Sequence, residues 1–224
     1  MQDIEKINAY EESKSYEATF QPDDLISILI SAENPEVTVP FNLPTAEGSD
    51  KVSTATKTYL IDNAGFIDFP VLGKIKLGGL TRTEANNKMT TLLSEYIKSP
   101  GVNMRIQNFK FSILGEVSKP SSYNIPHERI TILEALSMAG DITIYGKKDN
   151  VLLIRESEGK KTYNRIDITK PDFLNSPFYY LAQNDVIYVE PNKTRINSSI
   201  IGPNISVIFT GISLLVTILV ILLR

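Results

Sequence analysis

The chain has 224 residues, with 23 Lys and Arg against 26 Asp and Glu and a net charge of −3. That length allows more than one domain with its own core, and charges scattered along it exclude the concentrated basic patch of a nucleic-acid surface. With no cysteine there is no disulfide, no thiolate nucleophile and no cysteine metal site.

Residues 1–20 are polar, show no persuasive period and read as an extended N-terminal arm. Acids within the first five residues and the lack of an apolar h-region exclude a secretory signal. Two readings follow: a cytoplasmic tail-anchored chain, or a mature exported form in which Met1 replaces a processed leader. Pro22-Asp23-Asp24 then sets a turn before a strand at residues 25–30. Residues 32–57, with Pro35, Pro40 and Pro44, read as a long excursion with one extended segment at Val37 to Val39.

A strand is predicted from Thr58 to Ile61, a turn at Asp62-Asn63-Ala64-Gly65 and a returning strand from Phe66 to Val71. Thr81-Arg82-Thr83-Glu84 is a T-x-x-E capping box. It opens a helix whose buried face is Ala85, Met89, Leu92, Leu93, Tyr96 and Ile97, spaced by threes and fours. Val102, Met104 and Ile106 alternate as a strand, and Phe109 to Val117 forms another with Phe111, Ile113 and Leu114 inward. A second capping box, Thr131 to Glu134, starts a short helix that Gly140 ends. Further strands fall at Val151 to Ile154, which reads as buried, at Thr162 to Ile168, which alternates, and at Asn184 to Val189. An internal repeat sets Asp24 over Asp185 and Ile26 over Ile187, an acidic turn launching a strand in each half.

From Ile205 to Leu223 there are nineteen residues without a charge, proline or amide. As a helix they reach about 29 Å, close to the hydrocarbon thickness of a bilayer. Arg224 follows as a snorkelling membrane anchor. Ser206, Thr210, Ser213 and Thr217 fall within about 60° of one another on that helix. Such a stripe serves either close helix packing or the lining of a passage between identical helices. Lys193 and Arg195 lie just before the segment, and by the positive-inside rule they would favour a cytoplasmic soluble part.

No set of residues looks catalytic. His127 is the sole histidine, in a loop beside Pro126, and cannot build a His cluster for zinc. Gly78-Gly79 precedes a capped helix but lacks both the G-x-G-x-x-G spacing and a P-loop lysine. Lys147-Lys148 and Lys160-Lys161 are read as solvated hairpin positions, and three N-x-S/T sequences at Asn192, Asn197 and Asn204 as chance matches.

The order of these pieces resembles the outer-membrane polysaccharide export family. Gln21-Pro22-Asp23-Asp24-Leu25-Ile26 resembles the opening x-P-G-D-x-L/I of its export domain, with Asp23 where glycine is usual. Residues 62–85, from Asp62 through Gly65, Ile67, Pro70, Gly73, Ile75, Gly79 and Thr81 to Glu84-Ala85, match that domain's D-x-x-G-x-I-x-x-P-x-x-G-x-I/V…G-x-T…E-A pattern. Phe111 to Tyr123 and Ile132 to Gly140, closed by Asn184 to Val189, resemble a soluble-ligand-binding β-grasp (SLBB) domain. The excursion at 32–57 resembles an insertion of Bacteroidetes-like members.

The resemblance implies an α+β chain: N-terminal arm 1–20, export domain 21–107, SLBB domain 108–191, juxtamembrane linker 192–204 and transmembrane helix 205–223. It also implies a non-enzymatic subunit of an outer-membrane translocon for capsular polysaccharide or exopolysaccharide, assembled as a homo-oligomeric ring, commonly of eight. Most of the chain would lie in the periplasm, lipid-anchored at a processed N-terminus. Its partners would be the polymer, outer-membrane lipid and an inner-membrane co-polymerase and export complex, with no cofactor and no nucleic acid. The alternative is a tail-anchored periplasmic glycan- or partner-binding module that forms no pore. Compared with larger members, the chain shows one β-grasp module instead of two, and a terminal helix less amphipathic than a wide aqueous barrel requires.

Overall fold

A computed structural model describes residues 16–42, 58–157, 159–196 and 205–223, and the fold is α+β. The first sheet is built on β1 (Leu25–Ser31), which lies between β2 (Tyr59–Leu60) and β5 (Gly101–Ile106), antiparallel to both. Ile26, Ile28 and Ile30 alternate into the core while Leu29 points out, 62% exposed. A hairpin of β3 (Phe66–Phe69) and β4 (Gly73–Lys76) follows, and α1 (Arg82–Leu93) packs against β5.

The hairpin explains why its sequence is so particular. Asp62 Oδ1 accepts from the N–H groups of Ala64 and Phe66 at 2.9 and 2.8 Å, which closes the turn. Gly65 sits at φ +84°, and its carbonyl accepts from both Leu77 and Gly78, each at 2.9 Å. A Cβ on Gly78 would lie 2.7 Å from Gly65 Cα, so the two glycines let the backbone cross itself. Both capping boxes are complete in both directions, at Thr81–Glu84 and Thr131–Glu134. Gly140, at φ +74°, and Asp141 donate to the carbonyls of Ser137 and Leu136, a Schellman ending for α2 (Ile132–Met138).

The second sheet has five strands: β6 (Lys110–Gly115), β7 (Ser121–Asn124), β8 (Gly146–Ser157), β9 (Lys160–Ile166) and β10 (Val186–Pro191). Their order is β7-β6-β10-β8-β9, and the central pair β6–β10 is parallel. Phe111, Ile113, Val151, Leu153, Ile187 and Val189 fill its inner face. α2 buries Ile132, Ala135 and Leu136 in the same apolar core.

Several expectations are corrected. Val37 to Val39 belong to a 3₁₀ helix, Pro35–Phe41, because Asn34 accepts from Glu36 N–H and Pro35 starts the turn. Tyr96 is 57% exposed: α1 ends at Leu93, before the periodic face reaches it. Leu114 is 46% exposed, since it alternates with Ile113 on a pleated strand. Of the N-terminal arm, residues 1–15 lie outside the described residues; from Tyr16 the chain is docked, with Phe20 buried and its N–H bonded to Leu80 O. Residues 43–57 and 197–204, parts of the excursion and linker, also lie outside.

The chain's last element is α3 (Ile205–Leu222), about 27 Å long. Its side chains are described only from Phe209 onward, and among the described residues no helix is long and apolar enough to cross a membrane. The segment expected to span is thus helical, and its crossing is not established.

Candidate functional site

The internal repeat is real at atomic level. Asp24 follows Asp23 at φ +69°, and Asp185 follows Asn184 at φ +63°. Each aspartate donates its N–H to the carbonyl three residues back, at 3.2 Å. Each also accepts at Oδ2 from that same residue's N–H, Gln21 or Ala182, at 2.8 Å. Both carboxylates are fully buried. The two turns meet at Asn108, which accepts from Leu25 N–H, donates to Asp23 O, and through its own carbonyl accepts from Gln183 Nε2. The strands that begin at the two turns are therefore fastened across one junction.

The halves differ in how the carboxylate is compensated. Asp185 takes a bidentate pair from Arg155, Nε to Oδ1 at 2.9 Å and Nη2 to Oδ2 at 2.7 Å, and Arg155 Nη2 also donates to Tyr180 O. Asp24 Oδ1 has no partner. Burial, with Asp23 and Glu128 nearby, pushes its carboxyl up to about 6. Tyr16 stacks on Tyr180 at 4.8 Å and donates to Leu181 O, so the N-terminal segment is tied to the connection that leads into β10. Sequence reading placed the two aspartates in turns and missed Arg155, whose only signal was its place one residue past a buried strand run.

Two apolar surfaces remain uncovered. On the outer face of the five-stranded sheet, Leu114 and Tyr188 stand opposite one another, 46% and 36% exposed, with Leu152, Ile154 and Val186 half-buried beside them. The second is α3, whose described large apolar side chains are exposed from 46% at Ile218 to 76% at Leu222. A monomer in water rarely presents so continuous an apolar surface.

The predicted pore or packing residues are partly visible. Thr210, Ser213 and Thr217 share one stripe of α3; the Ser206 side chain and Arg224 lie outside the described residues. Ser213 Oγ donates to Thr210 O at 3.0 Å and Thr217 Oγ1 to Ser213 O at 2.8 Å. These hydroxyls are turned onto their own helix. His127 is exposed in a loop, and no metal-binding group of His, Cys, Asp and Glu occurs among the described residues. Lys147, Lys148 and Lys161 form ion pairs with Glu190, Asp141 and Glu156.

Residues 12–107 match the family described as Polysaccharide biosynthesis/export protein, and residues 109–189 match the SLBB domain. The chain is 24% identical over 192 residues to the EPS I polysaccharide export outer membrane protein EpsA of Ralstonia solanacearum. It is 25% identical over 197 residues to the protein of the same name from Ralstonia nicotianae. Each alignment covers 81% of this chain and 50% of the relative, so the chain spans about half the length of the curated relatives it matches.

Proposed function

This chain belongs to the polysaccharide biosynthesis/export family, with an SLBB domain after the export domain, and we propose that it is a subunit of an oligomeric outer-membrane translocon. Its cargo on this reading is capsular polysaccharide or exopolysaccharide, moved from periplasm to cell surface. The family is one of export proteins, not enzymes. The observation that carries the reading is the tandem match over residues 12–107 and 109–189, in the order export domain then SLBB domain. The two curated relatives, both called polysaccharide export outer membrane proteins, agree with it.

The finer assignment rests on the uncovered surfaces. α3 enters the outer membrane, because lipid is the solvent that tolerates an apolar helix exposed on all sides. The body, residues 21–191, stays in the periplasm as an export domain (21–107) and an SLBB domain (108–191), and the outer sheet face around Leu114 and Tyr188 packs against a neighbouring subunit. A processed, lipidated N-terminus would hold the other end of the chain at the membrane, and an inner-membrane co-polymerase would supply the polymer.

A second reading is a tail-anchored module that binds glycan or a partner without forming a pore. The Ser213 and Thr217 hydroxyls favour it: bonded to their own backbone, they leave α3 suited to lipid on every side. The mass of the detergent-solubilised full chain, beside a truncation ending at Ile196, separates the two. A large closed oligomer that requires α3 supports the translocon. A monomer in both forms across several mild detergents leaves the anchored module.

A further inference from the structure

Between the β3–β4 hairpin and α1 lies an open groove of about 470 Å³, within the usual range of small-molecule sites. Its cations are Lys74 and Lys76 from β4 and Lys88 from α1. They converge for a structural reason. Lys74 and Lys76 are two apart on one strand and so project to the same side, about 7 Å apart along the chain. Lys88 donates from Nζ to Lys76 O at 2.9 Å, which brings the helix lysine to the strand. Lys76 Nζ is held 5.9 Å from the Phe66 ring centroid.

Among the described residues, the groove holds no carboxylate paired with these charges. Glu95 lines it, and Asp68 stands opposite Lys74 in the hairpin register. Among the described residues, neither comes within ion-pair distance of the three lysines. Three of the four lysines predicted as solvated hairpin positions differ, since Lys147, Lys148 and Lys161 each have a carboxylate within 3.7 Å. Beside the cations runs an apolar strip. Leu72 and Leu92 are half-buried along the groove, Phe66 is half-buried under Lys76, and Tyr96 is 57% exposed. Tyr96 is braced by Phe41 at 5.8 Å, which fixes its ring while leaving most of it open.

We propose that this groove binds an acidic glycan, a chain containing carboxylate-bearing sugars. The ammonium groups of Lys74, Lys76 and Lys88 take the carboxylates, and the open Tyr96 ring takes the apolar C–H face of a sugar ring. A simple phosphate or a bare polyanion would satisfy the lysines and leave the aromatic strip unused. A neutral glycan would use the rings and leave three ammoniums uncompensated. An acidic sugar polymer matches both halves of the lining. The inference rests on the export reading and narrows it to the charge of the cargo.

The test is calorimetric titration of the detergent-solubilised full chain with a decamer of galacturonic acid, a dextran of equal length and a polyphosphate of equal charge. The galacturonate decamer should bind, dextran should not, and polyphosphate should bind more weakly. Replacing Lys74, Lys76 and Lys88 together by Gln should weaken galacturonate binding about tenfold or more. Tyr96→Ala should weaken it about threefold or more and leave polyphosphate unchanged. All four side chains are exposed, so each variant should stay folded, with only a small drop in melting temperature from the lost Tyr96–Phe41 and Lys88–Lys76 contacts. Galacturonate binding that is absent in the native chain, or equal in the triple lysine variant, overturns the proposal. So does polyphosphate binding as tight as galacturonate with Tyr96→Ala without effect, which marks plain ion exchange. Deleting the chain in cells separates the two readings: normal surface polymer after deletion defeats export itself. Lost polymer after deletion, with full rescue and unchanged binding by the triple lysine variant, defeats the groove alone.

Discussion

Asp24 and Asp185 occupy the same turn twice, yet only Asp185 has an arginine. A buried carboxylate without a cation is destabilising when ionised. The Asp24 carboxyl titrates at about 6 in the folded chain and near 3.8 as an unperturbed group. Its neutral form therefore stabilises the fold: that contribution is complete below pH 3.8 and is lost as pH rises through about 6. The whole effect amounts to about 2–3 kcal/mol. Urea unfolding of the full chain in detergent between pH 4 and 8 should show it, and Asp24→Asn should flatten the profile and raise stability at pH 8. An unchanged profile would mean that Asp24 is compensated. At the second turn the reverse substitution is informative. Arg155→Ala strands a buried Asp185 carboxylate and should lower stability by about 3–5 kcal/mol at pH 7, read in the same titration. Both aspartates were legible in the sequence as turn residues and as a repeat. Their burial was not, because it depends on Asn108 and, for Asp185, on Arg155 arriving from elsewhere in the chain.

Elements with purely local determinants were the most readable. Each capping box is contained in four residues, and both helices start where those residues place them. α2 has only seven residues, too few to persist by propensity, so its cap and its apolar face must hold it. Thr131→Ala removes the acceptor for Glu134 N–H and should lower stability by about 1 kcal/mol, measured by thermal unfolding. In α1, Met89→Ala empties a fully buried position and should lower it by about 2–5 kcal/mol. What the sequence could not display is pairing across distance. β6 and β10 are separated by β7, α2 and the β8–β9 hairpin before they meet in parallel. That contact exposes Leu114 and Tyr188 on one face, whereas the run Val151 to Ile154 reads as buried throughout. Tyr96 was misplaced for a similar reason: a helical period continues on paper past the residue where the helix stops.

At the scale of the whole molecule, the export and SLBB portions fit the family, while two apolar surfaces have no cover among the described residues. If the outer sheet face is a subunit contact, Leu114→Asp with Tyr188→Asp should reduce the detergent-solubilised assembly to smaller species. Both positions are exposed, so melting of the subunit itself should change little. Unchanged mass would remove that face from the assembly. The hydroxyl stripe of α3 was visible in the sequence as a spacing of four and three, but whether Thr210, Ser213 and Thr217 face a lumen, a neighbouring helix or lipid is a property of the assembly, not of the spacing. Transport itself is measured in cells. The polymer should be quantified at the surface and in the periplasm of cells lacking the chain, then after return of the full chain or of a chain ending at Ile196. Deletion should shift polymer from the surface to the periplasm; the full chain should restore it and the shortened chain should not. Surface polymer at the normal level in cells lacking the chain would rule out an export role.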